Sequence, residues 1–503
     1  MMIWRRCAMI WILFTCLASP LEVLGQDEAL PVRPMDDPRL PNGQVDYLAK
    51  LNSQLKQGIT PDNNAVVPLI SILGSQVLEG MDQQQALKEL GLRELPTETS
   101  QLVLQREYTS KRGLVEPSSE YDQWLTMIDT AAVQPWTTDQ HPDLAEWVAA
   151  NSPALEAVER ASHLPRFFWP LIPVSKPDDS FSEIRILTAS QRMFDQLREI
   201  AQLLAIRAMH RLGDRDLESA IRDIQTIRRL ASLMTQSPGS VEMLHSRAVE
   251  DRAFLTEIAL VESGILKSEH CVAYRKYIAT PLAPLHVPQR IKTLERFIFL
   301  DALQSLQRGE SVGMDMKFDL SKLDVEEIEK ASVFYDSMAD CWQEPKPLNR
   351  FWKLAVWQND LMEVVVGRGE IWKVIDSDAS IEDRSRFFGD FLVSLFAANF
   401  YRLAEAETRR QTNLDLLNLA LALESYRLAH GVFPETLEEL QPEHIQSAPL
   451  DPYSERAFIY RKKFHGYQLY SIGPNEVDNQ GRRSEGSNSW DDYGITIRLP
   501  HKE

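Results

Sequence analysis

The sequence predicts a mainly α-helical protein, a multi-helix scaffold of α-solenoid-like or irregular form that ends in a small α+β domain. Three observations carry that reading. Apolar residues recur at helical spacing through most of the chain, most regularly over residues 184–234. Almost no convincing strand pattern occurs between the Pro-rich leader and Arg427. After His430-Gly431 the pattern changes to short runs rich in aromatics and isoleucine, separated by turn residues.

The N-terminus has the order of a secretory signal. Arg5 and Arg6 precede an apolar stretch from Cys7 to Leu17, and Val23-Leu24-Gly25 places small or apolar residues ahead of a cut before Gln26. The apolar run is shorter than the roughly 20 residues a bilayer span needs, so cleavage is expected, with an uncleaved anchor as the alternative. Thr15 before Cys16 is a poor setting for lipidation. An exported protein, periplasmic or in the cell envelope, is therefore expected. No later run of apolar residues is long enough for a membrane span.

A chain of 503 residues exceeds one ordinary core, which predicts two or three domains. We read 1–25 as the signal, 26–42 as an extended Pro-rich leader, 43–163 as an N-terminal helical region and 164–181 as a Pro/aromatic linker. Residues 182–382 then form a central helical region, and 383–503 a long helix with an antiparallel sheet. Thr60-Pro61-Asp62 has the form of a helix start, for a short helix ending near Gly74. Asp82–Gly91 is another short helix. Pro142 opens a further one, and Ser152-Pro153 looks like the cap of the next. Leu164–Pro173 holds three prolines and cannot be a regular helix; its Phe167, Phe168 and Trp169 fit a hydrophobic seam between helical layers.

Two amphipathic helices follow, one carrying Met193, Leu197, Ile200, Leu203 and Leu204, the other Ala220, Ile224, Ile227 and Leu230, with Gly213-Asp214 between them. This αα-hairpin is similar to tetratricopeptide-type units, without their full consensus or a fixed period. Ser240–Ser263 is the next helix, ended by Gly264. Helices are expected again at 289–308, 321–340, 348–376 and 383–430. Beyond them, Ala457–Arg461 and Tyr467–Ser471 form a hairpin through His465-Gly466, and Gly494–Leu499 is a last strand. So small a sheet must pack on something, and the preceding helix is the expected support.

From Leu414 to Gly481 the residues resemble the periplasmic domain of the major pseudopilin of type II secretion. The likeness rests on Ala422–Gly431, Phe433-Pro434, Thr436–Leu440, Asp451-Pro452-Tyr453, Phe458-Ile459-Tyr460 and Tyr467–Gly473. It implies the same helix-and-sheet fold and a calcium loop after the second strand. By position the implied ligands are Asn475, Asp478, Asp491 and Asp492. Calcium favours such oxygen ligands, but Asn475 carries no charge, Arg482 and Arg483 lie in the same loop, and a plain polar loop is the alternative. Here the domain follows some 400 residues of helix and has no cleavage motif, so it cannot be extracted and polymerised as a pilin is.

Net charge and motifs narrow the function classes. At −19 the chain repels phosphate backbones, which argues against nucleic acid, and is compatible with divalent cations. There is no His-Glu-x-x-His, no Gly-x-Ser-x-Gly and no Walker-type loop. His141, His163, His210, His245 and His286 show no metal spacing. His270-Cys271 are neighbours only in sequence, and Glu326, Glu327 and Glu329 form a charged helix face. After signal removal Cys271 and Cys341 remain, as one disulfide or as two isolated thiols. The expectation is a non-enzymatic exported protein that binds a protein partner or a cell-envelope component. An envelope hydrolase without local motifs and a structural accessory of a secretion or pilus-like assembly are the alternatives.

Overall fold

Helix follows helix from Tyr47 to His430 in the computed structural model, which describes residues 37–96, 102–173, 184–189, 192–280, 286–310, 318–367, 371–375, 377–397, 400–482 and 492–498. The signal region, the cut before Gln26 and Asp491 lie outside the described residues. The chain divides into two compact units, Met1–Asp46 and Tyr47–Glu503. In the first, residues 37–46 form a tight loop closed by an antiparallel bridge between Arg39 and Val45.

The second unit opens with α1 (Tyr47–Leu55), α2 (Val66–Leu73), α3 (Gln83–Leu90), α4 (Gln105–Lys111), α5 (Ser119–Ala131) and α6 (Pro142–Ser162). The central helices are α7 (Arg192–Gly213), α8 (Leu217–Met234), α9 (Ser240–Glu262) and α10 (Ser268–Ile278). Then come α11 (Val287–Arg290), which runs through a π-helical turn at Ile291–Glu295 into α12 (Arg296–Gln307), α13 (Val325–Lys330), α14 (Phe334–Trp342), α15 (Pro347–Gly367), α16 (Ile371–Ile375), α17 (Ile381–Phe396) and α18 (Phe400–His430).

Four expectations need correction. The helix expected from Thr60 starts only at Val66: residues 61–63 form a turn, and the Asn64 side chain exchanges hydrogen bonds with the Phe168 backbone (2.9 and 3.0 Å), pinning the chain there before the helix begins. Pro153 sits inside α6 rather than starting a new helix, and the buried stripe Leu144, Trp147, Val148, Asn151, Leu155 and Val158 continues through it. The helix expected over 383–430 is two helices, since Ala397 takes an extended ψ of 117°. The 321–340 segment is likewise split into α13 and α14 by a 3₁₀ turn at Ala331–Val333. Three helices escaped the pattern: α4, α5 and α10. α5 is set by Ser118, whose hydroxyl accepts the Tyr121 N–H at 3.2 Å, an N-cap that shows in the sequence only once the helix is known.

The α7–α8 hairpin forms as expected, with Asp216 capping α8 through the Ser219 N–H. Gly213 is required where it stands: a Cβ there would lie 1.9 Å from the Trp136 carbonyl oxygen. Phe167, Phe168 and Trp169 are all buried, so the Pro/aromatic segment is a seam within the core. α9 is the exception to simple patterning. It buries Met243, Val249, Phe254 and Leu260, but also Arg247, Glu250 and Glu257. It is a central helix, packed against α7, α8 and α18, and its buried charges are met by neighbours.

The C-terminal sheet is β1 (Ile459–Lys463), β2 (Gly466–Ser471) and β3 (Tyr493–Arg498), antiparallel in the order β1-β2-β3. Pairs such as Tyr467–Ile497 and Leu469–Ile495 put one apolar face inward. That face packs on α18 and α9 and joins the core that runs from Ala65 through Leu416–Leu423 to Ile497. Gly431, at φ 80°, releases the chain from α18 toward the sheet. The edge strand β1 carries Arg461, Lys462 and Lys463, charges that discourage further strand pairing. Among the described residues no helix is long and apolar enough to cross a membrane. Cys271 and Cys341 are separate free thiols.

Candidate functional site

Helices α8, α9, α10, α14, α15 and α18 surround a cleft of about 810 Å³. Six arginines line it: Arg228, Arg229, Arg247, Arg275, Arg350 and Arg410. In a chain of net charge −19 this is a local reversal of sign. The arginines fall into two sets.

Arg228, Arg247 and Arg410 are tied to carboxylates. Arg228 forms a fork with Glu257, at 2.6 Å on its second arm. Tyr274 donates its hydroxyl to the same carboxylate at 2.6 Å. Glu250 is shared by Arg228, Arg247 and Arg410. Glu407 pairs with Arg247 at 3.3 Å and Arg410 at 2.8 Å. Three cations thus face three anions. Burial works against the charge on Arg228, but Glu257 and then Tyr274 outweigh it, so its pKa is raised. Burial likewise opposes Arg410, and Glu407 and Glu250 raise it above its usual value.

Arg229, Arg275 and Arg350 meet only neutral acceptors among the described residues. Arg229 donates to the hydroxyls of Ser162 at 2.9 Å and Thr226 at 2.8 Å. Arg275 donates to the Asn418 side-chain oxygen at 2.8 Å and to the His444 carbonyl. Arg350 donates twice to the Glu344 carbonyl, at 3.0 and 2.8 Å, and lies 5.5 Å from the Trp342 ring centre. Burial lowers the pKa of all three. Each remains a cation at neutral pH, half-buried and without a counter-charge in contact.

Two carboxylates reach the cleft itself, Glu407 and Asp415. Asp415 accepts from Gln411 at 3.2 Å, and burial pushes its pKa up to about 6. The cleft and its carboxylates together hold six arginines against Glu250, Glu257, Glu407 and Asp415, so positive charge is in excess. None of these arginines stood out in the sequence, because they come from helices far apart in the chain. The one available signal was the set of charges at core positions of α9.

The predicted loop residues have other contacts. Asp478 faces Arg461 at 3.1 Å and accepts from the Tyr470 hydroxyl at 2.9 Å and the Gln480 N–H at 2.7 Å. Asn475 accepts from the Val477 N–H and donates to Asn479, both at 2.9 Å. Asp492 is buried and accepts from the Gly481 N–H at 2.6 Å. In this structure these side chains make hydrogen bonds within and beside the loop, and the Asp478 carboxylate also faces a guanidinium.

The Cys–His neighbours are not a nucleophile pair. Cys271 is buried and its thiol is pushed up to about 12, chiefly by burial. His270 turns away, accepting the Lys267 N–H at 3.0 Å and facing Glu218 at 3.3 Å. Glu327 is engaged by Lys330 and Arg386, as a charged face requires. Comparisons with protein-family models, curated proteins and solved structures return no match.

Proposed function

We propose that this is an exported binding protein whose arginine cleft takes an anionic group, a carboxylate or phosphate carried by a protein partner or cell-envelope component. One observation carries the reading: Arg229, Arg275 and Arg350 border the same cleft with no carboxylate in contact. Guanidinium groups present a planar fork of donors suited to oxyanions, and partial burial strengthens such bonds. The order of basic, apolar and small residues at the N-terminus supports export. The helix-and-sheet end that resembles a pseudopilin domain serves here as a packing module, with Tyr467, Leu469 and Ile497 buried in the common core.

The test is a thermal-shift and titration panel with tripolyphosphate, citrate and an acidic peptide against maltose as a neutral control. The three anions should stabilise the protein and maltose should not. Equal indifference to all four would refute the proposal.

A further inference from the structure

Away from the cleft carboxylates, three metal-ligand side chains from two segments meet at the end of α18. His430 is the last residue of that helix. Glu443 and His444 follow the 3₁₀ turn Leu437–Leu440, and the Leu440 carbonyl fixes them by accepting the His444 N–H at 2.8 Å. One ligand atom from each of the three lies within 4.8 Å of the other two, the sole such group found among the described residues. His444 supplies a second, independent observation. It is only 9% exposed, its Nδ1 is 3.2 Å from the Ser425 hydroxyl, and its Nε2 is buried with no hydrogen-bond partner. A buried ring nitrogen without a partner is costly unless something fills it.

We propose that His430, Glu443 and His444 form a binding site for a divalent transition metal, zinc by ligand type, with a water completing the shell. Two imidazoles and one carboxylate are a common three-ligand set for zinc, and nitrogen ligands select against calcium and magnesium. Bonds of about 2.0–2.2 Å place tetrahedral ligand atoms roughly 3.3 Å apart. With every pair within 4.8 Å, no pair needs to close by more than about 1.5 Å. His430 and Glu443 are exposed, the His430 ring resting on Tyr426 with centroids 4.2 Å apart, whereas His444 is already set by Ser425. Metal binding uses the neutral imidazole, with the lone pair of the unpartnered Nε2 available to the ion. The metal would clamp the 441–445 segment to the end of α18. That segment's His444 carbonyl holds Arg275, so the site braces one wall of the arginine cleft.

The test uses the full chain without a polyhistidine tag, titrated with zinc against a chromophoric chelator, then with cobalt(II) as a spectroscopic stand-in. The proposal expects one tight site per chain, unaffected by excess magnesium, and visible cobalt absorption of tetrahedral type. His430→Ala and Glu443→Gln alter exposed side chains, so they should keep the native circular dichroism while weakening zinc at least tenfold. No stoichiometric zinc in the unaltered protein, or both variants binding like it, would overturn the proposal.

Discussion

Six arginines share one cleft but divide into two groups with opposite surroundings. Arg228, Arg247 and Arg410 are interlocked with Glu250, Glu257 and Glu407. Among the described residues, Arg229, Arg275 and Arg350 donate only to hydroxyl, amide and carbonyl oxygens. The first arrangement leaves no capacity for a ligand, since each charge is already answered. The second keeps positive charge in reserve at a surface that solvent reaches. Residue type alone does not separate a structural arginine from a binding one; the partner does.

The contrast can be broken most forcefully from its paired side. Glu257→Ala should cost about 3–5 kcal/mol, measured by chemical denaturation, because it leaves Arg228 and the Tyr274 hydroxyl buried without their acceptor. A loss below 1 kcal/mol would mean that the network is not a structural element. A buried carboxylate with no arginine in contact among the described residues gives the opposite case. Glu295 accepts the Ser240 N–H at 3.2 Å, and burial raises its pKa to about 7. A carboxyl raised in the folded state weakens folding as pH climbs through that value, since the unfolded chain ionises more readily. Glu295→Gln should therefore add on the order of 3 kcal/mol at pH 8 and little at pH 5, read from denaturation at both pH values.

Smaller effects are expected on the open side. Arg229→Gln or Arg350→Gln should weaken tripolyphosphate binding by about tenfold, in line with the roughly 1.5–3 kcal/mol of a hydrogen bond to a charged group. Stability should change by about 1 kcal/mol or less. If these variants lost stability as Glu257→Ala does, the two groups would not differ in role. The smallest effect belongs to Asp415. Its carboxylate, with pKa near 6, opposes an anion at pH 7.5 and is neutral at pH 5. Anion binding should tighten a few-fold on acidification through pH 6, and Asp415→Asn should flatten that slope in the same titration.

The fold was largely legible, the site was not. The α7–α8 hairpin shows in sequence because one stripe of each helix is apolar and the turn between them carries Gly213 and Asp216. The sheet shows because Tyr467, Leu469 and Tyr470 crowd one short run, and because Ile495 and Ile497 alternate with the exposed Thr496 and Arg498. α10 was missed because Cys271 and Tyr274 are its only fully buried residues, too few for a stripe. α6 was cut in two because Pro153 looks like a start signal, while its neighbours' packing carries the helix past it. The cleft depends in large part on pairings across long stretches of chain, from 22 positions between Arg228 and Glu250 to 169 between Arg275 and His444, and arginine has no spacing rule that reveals them. His430 and His444 were invisible for the same reason: a Gly-Pro-rich bend, not a helical repeat, brings them together.

The most direct test is a crystal structure with tungstate, an electron-dense oxyanion located by its anomalous signal. The strongest peak should lie in the cleft within hydrogen-bond reach of at least two of Arg229, Arg275 and Arg350. A cleft without a peak, or tungstate bound only at lysines on the outer surface, would contradict the assignment of these three residues as the ones held open for a ligand.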